Sequence, residues 1–234
     1  MNQPARNYHH GNLRDALILA AATMIENQGS LEFSITDAAR QAGVSVAAPY
    51  RHFKDKEDLL CSVRDLAFIG LQEAAERTMH ESKLPVGSMA MIIALGHCYL
   101  AYAREKRAFF SLMWEDRGDS DERRSMLSKQ HCGFDVLAEA VARYCDDHAP
   151  VTRHRPITGE DSLTLSVATQ LWALAHGIAT LEHNRMLDFF SRSATPERLL
   201  EDSTRALLSG LQLDKPRKIE RLAVQNSPQQ ELPL

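Results

Sequence analysis

The residues best suited to chemistry in this chain are clustered between Ser45 and Lys56. This run, S-V-A-A-P-Y-R-H-F-K-D-K, sets two alanines beside Tyr50, Arg51 and His52, with Lys54 and Lys56 close behind. Small side chains let a backbone approach a duplex, and Ala47 or Ala48 is suited to touching a thymine methyl. Tyr50, His52 and Lys56 suit phosphate oxygens, and Arg51 suits a guanine edge or a phosphate. Thr36 is placed to add a phosphate contact through its hydroxyl or its amide. The chemistry on offer is duplex recognition. No nucleophile elbow, phosphate-cradling glycine loop or HExxH accompanies it, so no catalytic residue and no enzymatic activity is assigned.

Such a cluster needs a frame, and the preceding residues supply one. Leu13, Ala16, Leu17, Ala20, Ala21, Met24 and Ile25 recur at helical spacing after Asn12 and stop at Gln28-Gly29. Ser34 followed by Asp37 predicts a capped second helix with Ile35, Ala38, Ala39 and Ala42 inward. Gly43 ends it, Val44 plugs the core, and Ser45 is expected to cap a third helix through Phe53. Pro49 stands where its missing N–H would have made the first intrahelical bond, which predicts a tight or distorted first turn. Asp55 then opens a fourth helix running from 56 to about 80. Two short helices joined by A-G-V-S fit a helix-turn-helix. On spacing alone, the same three-helix unit also fits proteins that never touch DNA.

The remaining pattern is helical as well, and Lys83-Leu84-Pro85 interrupts it. Helices are expected over 86–104, 107–115, 120–147, 160–187 and 196–211, the last opened by Thr195 and Pro196. The fold class is therefore all-α, about nine helices in total. It comprises a three-helix helix-turn-helix DNA-binding domain (1–56, preceded by a flexible arm 1–10) and a larger ligand-sensing and dimerisation domain (57–213). Residues 214–234 are expected to be a disordered tail.

The stretch Leu165 to Leu181 is apolar nearly all round, more than one small domain needs to cover. That surplus, with the stripe Leu199, Leu200, Ala206, Leu207 and Gly210, fits a homodimer through helices near 160–187 and 196–211. Two-fold pairing would set two reading helices on a palindrome. Carrying Gln170 and His176, the stretch is too short and too polar for a bilayer, so no membrane partner is expected.

Composition is that of an ordinary soluble protein: 44% apolar, 25% charged and formal net charge −4. The acidity lies outside residues 1–56, where six Lys and Arg face five Asp and Glu. Cys61, Cys98, Cys132 and Cys145 show no CxxC pairing, and a reduced, cytoplasmic chain is expected. No cofactor is expected. Candidate ligand-binding residues are His97, Tyr102, Phe110, Met113, Trp114, Phe134, Trp172 and His176, with Tyr99, Phe109 and His183 sharing the same interior. His176 and His183 share a helix face, but no further ligands converge on them, so no metal site is assigned.

A resemblance narrows these readings. The run from Tyr8 to Leu60, with D-A-A-R-Q-A-G-V-S-V-A-A-P-Y-R-H-F-K-D-K-E-D-L-L in register, resembles the N-terminal domain of the tetracycline-repressor (TetR) family. The resemblance implies that Ser45 to His52 read an operator, and that the last two long helices pair with their mates in a dimer. The family often carries bulkier residues where Ala47 and Ala48 stand. L-W-A-L-A-H-G-I-A-T-L-E, Leu171 to Glu182, resembles the Trp-x-x-x-His-Gly (WHG) signature of one C-terminal subclass. The function implied is a transcriptional regulator, by family default a repressor, released from DNA when a small, largely apolar ligand binds the C-terminal half. A helical adaptor that binds proteins through the same apolar faces is the rival reading.

Overall fold

The computed structural model describes residues 13–114, 133–148, 163–190 and 193–213. The arm 1–10, Asn12, residues 120–132 of the helix expected over 120–147, and the tail 214–234 lie outside these residues. Among the described residues there is no strand, and the order of helices is α1 (Leu13–Gln28), α2 (Ile35–Gln41), a 3-10 turn (Pro49–Arg51), α3 (Lys56–Glu81), α4 (Met89–Glu105), α5 (Arg107–Trp114), α6 (Phe134–His148), α7 (Leu163–His183), α8 (Leu187–Phe190) and α9 (Pro196–Leu213).

Local chemistry sets the starts and stops. Ser34 Oγ accepts from the Asp37 amide at 3.1 Å, and the Asp37 carboxylate accepts from the Ser34 amide at 2.9 Å. This reciprocal box satisfies orphan donors of α2. At the other end Gly43, at φ +70°, permits the Val44 amide to reach the Ala39 carbonyl and its own to reach Arg40, a Schellman close. Asp55 caps α3 through the Asp58 amide at 2.9 Å, Ser88 caps α4 and Thr195 caps α9.

Two expectations are corrected. Residues 45–53 do not form an α-helix. The Ser45 carbonyl accepts from the Ala48 amide at 2.9 Å, because Pro49 has no N–H to offer it one residue later. A turn followed by the 3-10 segment results, without a side-chain cap, so Ser45 acts through its carbonyl and not as an N-cap. Nor does the helix expected over 160–187 run unbroken. It ends at His183, where Arg185 adopts φ +56° and the Met186 amide reaches back to the Leu181 carbonyl at 2.8 Å. A second Schellman close separates α7 from α8.

Two apolar clusters make the core. The first joins Leu17 and Ile25 of α1, Ala38 and Ala39 of α2, and Phe53 to Leu59, Leu60 and Val63 of α3, and continues through Leu100, Phe110, Ile178 and Leu200. The second joins Ala75 of α3 to Met91, Val141, Val167, Leu171 and Leu208. Each fully buried large side chain contributes about 1.5–3 kcal/mol. The helix α3 feeds both clusters, so the unit bearing Ser45–Lys56 and the helices behind it share one packed interior. Ion pairs add cross-links: Lys106 at the end of α4 meets Glu26 of α1, and Arg104 joins Glu182 of α7 at 2.8 Å and Glu197 of α9 at 2.7 Å.

Candidate nucleic-acid interface and sensor core

The turn after α2 presents a mixed surface. Ser45, Val46, Ala47, Tyr50, Arg51, His52 and Lys54 are exposed, Val46 at 49% and Tyr50 at 57%. Beneath them Ala48, Pro49 and Phe53 are buried. Ala48 therefore faces the core and is not available to a thymine methyl, which leaves Ala47 and Val46 for that contact. The Phe53 amide bonds to the Pro49 carbonyl at 2.9 Å, so the buried phenyl ring anchors the turn from below.

Two cations expected to share a role part company. Lys54 is exposed, while Lys56 is half-buried. Its Nζ donates to the Leu31 carbonyl at 2.6 Å and lies 4.8 Å from the Phe33 ring centroid. Lys56 thus holds the α1–α2 connection to the start of α3. Thr36 is half-buried, its Oγ1 2.8 Å from Ser34 Oγ within the cap. The Ser34 hydroxyl and amide, with Arg40 2.7 Å away, hold the Asp37 carboxyl below its ordinary range.

Sequence reasoning missed Arg14. Its guanidinium lies over the Phe53 ring, 5.2 Å from the centroid, and donates to Ser62 Oγ at 2.8 Å. It ties α1 to α3 across the base of the turn. The contact spans 48 residues, and no local spacing announces it.

Deeper in the molecule an aromatic cluster forms where α4, α5 and α7 meet. The Trp172 ring stacks on His176, with centroids 5.1 Å apart, and the Trp114 ring meets His176 at 4.7 Å and Trp172 at 5.3 Å. Phe110 lies 5.9 Å from His176, and the Tyr99 hydroxyl is 2.9 Å from His176 Nδ1. Burial pushes the His176 imidazole below its ordinary pKa, favouring the neutral ring. Met113 is buried in the same core. At the edge, His183 Nε2 lies 3.0 Å from Ser111 Oγ. Burial and the nearby Arg107 depress the His183 pKa also.

Three of the expected ligand residues stand elsewhere. His97 points to α9, its Nε2 3.4 Å from Glu201. The Tyr102 hydroxyl donates to the Ala67 carbonyl at 2.7 Å, which brings α4 close to α3, and burial raises its pKa. Phe134 packs on the second apolar cluster. Beside the aromatic cluster lies a cavity of about 40 Å³, walled by α3, α4, α6, α7 and α9 and including Leu71, Leu95, Leu137, Trp172 and Leu200. Its α9 wall, Leu200 and Thr204, comes from a helix whose apolar stripe is expected only at a dimer interface. Among the described residues no group of three or more His, Cys, Asp or Glu is arranged to hold a metal. No helix among them is long and apolar enough to cross a membrane.

Known proteins share this layout. Residues 17–63, which hold the exposed turn and its supports, match the model of bacterial regulatory proteins of the tetR family. Residues 92–207 match the model of the tetracyclin repressor-like C-terminal domain. The chain is 29% identical over 114 residues to the HTH-type transcriptional regulator BetI of Rhizobium meliloti, an overlap of 49% of this chain and 56% of that regulator. It thus spans little more than half the length of the curated relative it matches. A protein of unknown function from Rhodococcus sp. RHA1 superposes with a TM-score of 0.66 at 28% identity, covering 88% of this chain and 99% of that one. The fatty acid degradation regulator FadR of Bacillus halodurans shares the fold, with a TM-score of 0.55 at 19% identity over 86% of this chain and 97% of its own. With the turn-bearing unit matched by one model and the helical body behind it by the other, the chain belongs to the tetracycline-repressor (TetR) family of bacterial regulatory proteins.

Proposed function

We propose that this chain is a homodimeric, DNA-binding transcriptional repressor that leaves a palindromic operator when a small, largely apolar ligand enters its C-terminal half. The observation that carries the reading is the exposed run Ser45, Val46, Ala47, Tyr50, Arg51, His52 and Lys54, held out from a packed three-element base. Polar tips for phosphates and a base edge flank an apolar point, and the buried Phe53 fixes all of them to one frame.

Pairing through α7 and α9 is supported by what their outer faces carry. Ala173, Leu181, Ala206 and Gly210 are exposed, and a Cβ built on Gly177 or Gly210 meets nothing within 4 Å. Small residues on two adjacent long helices suit close packing against a second copy. We also place the C-terminal half in the Trp-x-x-x-His-Gly subclass, on Trp172, His176 and Gly177. Release follows if the ligand favours a spacing of the two reading turns that no longer matches successive major grooves. A hundredfold loss of operator affinity requires about 2.7 kcal/mol of differential binding.

The test is selection of binding sites from random duplexes, followed by footprinting of the selected sequence. An inverted repeat is expected, protected on both halves; a protein that enriches no duplex would defeat the reading. The apolar point adds a finer expectation. Replacing the contacted thymine of each half-site by deoxyuridine removes one methyl per protomer. At about 0.8 kcal/mol per buried carbon the dimer loses about 1.6 kcal/mol, roughly 15-fold in affinity. Val46→Ala should lower that sensitivity, and equal binding of thymine and uracil duplexes by the wild type would show that Val46 and Ala47 read no methyl.

A further inference from the structure

We infer that the effector is an uncharged molecule with an apolar body and one hydrogen-bond acceptor, and that the acceptor seats against the indole N–H of Trp172. This rests on the ligand-responsive reading above and narrows it to a chemical class.

The charge class follows from the walls of the cavity between α3, α4, α6, α7 and α9. Of the described residues that line it, none is Asp, Glu, Lys, Arg or His. An ion entering this space would lose its hydration without gaining a counter-charge, a penalty far larger than the burial of its carbon chain returns. The thiol of Cys98, which also lines the cavity, is pushed toward its neutral form by burial.

The polar requirement comes from the indoles. Trp172 Nε1 and Trp114 Nε1 are both buried and have no hydrogen-bond partner. An indole N–H is a donor only, and a buried one ordinarily finds an acceptor. Trp172 is the one that lines the cavity. Tyr99, the other aromatic on that wall, already has its hydroxyl against His176 Nδ1 at 2.9 Å. A ligand oxygen that accepts from Trp172 would complete a donor that the fold leaves open.

The cavity's position gives such a ligand leverage. Its space of about 40 Å³ admits a few water-sized groups, so a chain of several carbons must part the helices around it. There is little slack on one side, since a Cβ on Gly96 of α4 would stand 2.6 Å from Leu200 Cδ2 of α9. On the other side stand Leu71 and Ala75 of α3, the helix that begins directly behind the reading turn.

The chain's 2 tryptophans are Trp114 and Trp172, so intrinsic fluorescence reports on this site without a label. The full-length protein is titrated with 2-hexanone, hexanoate and hexylammonium at neutral pH, with and without bound operator duplex. Expected is a saturable fluorescence change with the ketone and at least about tenfold weaker binding of both ions. Trp172→Phe keeps the ring and leaves Trp114 as reporter, and it should weaken ketone binding by about fivefold, the value of one neutral hydrogen bond. An ion that binds as tightly as the ketone, a ketone that gives no saturable change, or a Trp172→Phe protein that binds it undiminished would overturn the assignment. If the ketone binds as expected but leaves operator affinity unchanged, the ligand class stands and the release mechanism falls.

Discussion

Removing the side chains of Tyr50 and Arg51 together should weaken binding to the selected duplex by about 2–6 kcal/mol while the protein stays folded and dimeric. Both residues are exposed on the turn that α2 and α3 hold out, and neither contributes to the apolar clusters. A good side-chain contact to a base edge or phosphate is worth about 1–3 kcal/mol; counted for only one of the two side chains and made twice by a two-fold dimer, it gives about 2–6 kcal/mol. The lower bound alone is about 30-fold in affinity. Fluorescence anisotropy with a labelled duplex measures it. Thermal unfolding and sedimentation on the same variant separate a lost contact from a lost fold, since exposed substitutions usually shift stability by less than about 0.5 kcal/mol. An unchanged affinity would move the interface elsewhere on the molecule.

Phe53→Ala should do the opposite, costing the fold first. Phe53 is 2% exposed and packs into the cluster shared by α1, α2 and α3. Truncating a buried phenylalanine costs about 3–5 kcal/mol through lost transfer energy and the cavity left behind. Here the Arg14 guanidinium, seated over the ring, also loses its platform. For a chain of this size each kcal/mol lowers the melting temperature by about 2–4 °C, so a drop of about 6 °C or more is expected. DNA affinity should fall as well, because the turn above loses its anchor. A variant that melts like the wild type would mean that Phe53 does not organise the reading unit.

Much of the reading unit was legible because its determinants are local. Ser34 with Asp37, Gly43 after Ala42, and Asp55 before α3 each act within four residues, and each acts as its spacing announces. Pro49 was legible in part. Its missing donor signals a distorted turn, and the structure shows the distortion extending through all of residues 45–53. The break after α7 gave no such warning, because Arg185 takes a left-handed conformation that glycine or asparagine would ordinarily mark. Tertiary partners were not legible at all. Periodicity says which residues share a helix face but not which neighbour that face meets. Hence His97, expected to share an interior with Trp172, turns to Glu201, and Lys56, expected at a phosphate, is held by Leu31 and Phe33. Leu200 and Thr204 reach the cavity from a helix far along the chain, and nothing in their spacing connects them to Trp172.

The most direct measurement is the affinity of the wild-type protein for its selected palindrome and for a scrambled duplex of equal length and composition, each across a range of salt concentrations. Sequence-specific reading by the turn predicts a preference of about a thousandfold or more for the palindrome at physiological salt. Both affinities should fall as salt rises, in proportion to the phosphates contacted. No measurable binding to either duplex at low salt would contradict DNA recognition outright. Equal binding to both would contradict sequence-specific reading by Val46, Ala47, Tyr50 and Arg51.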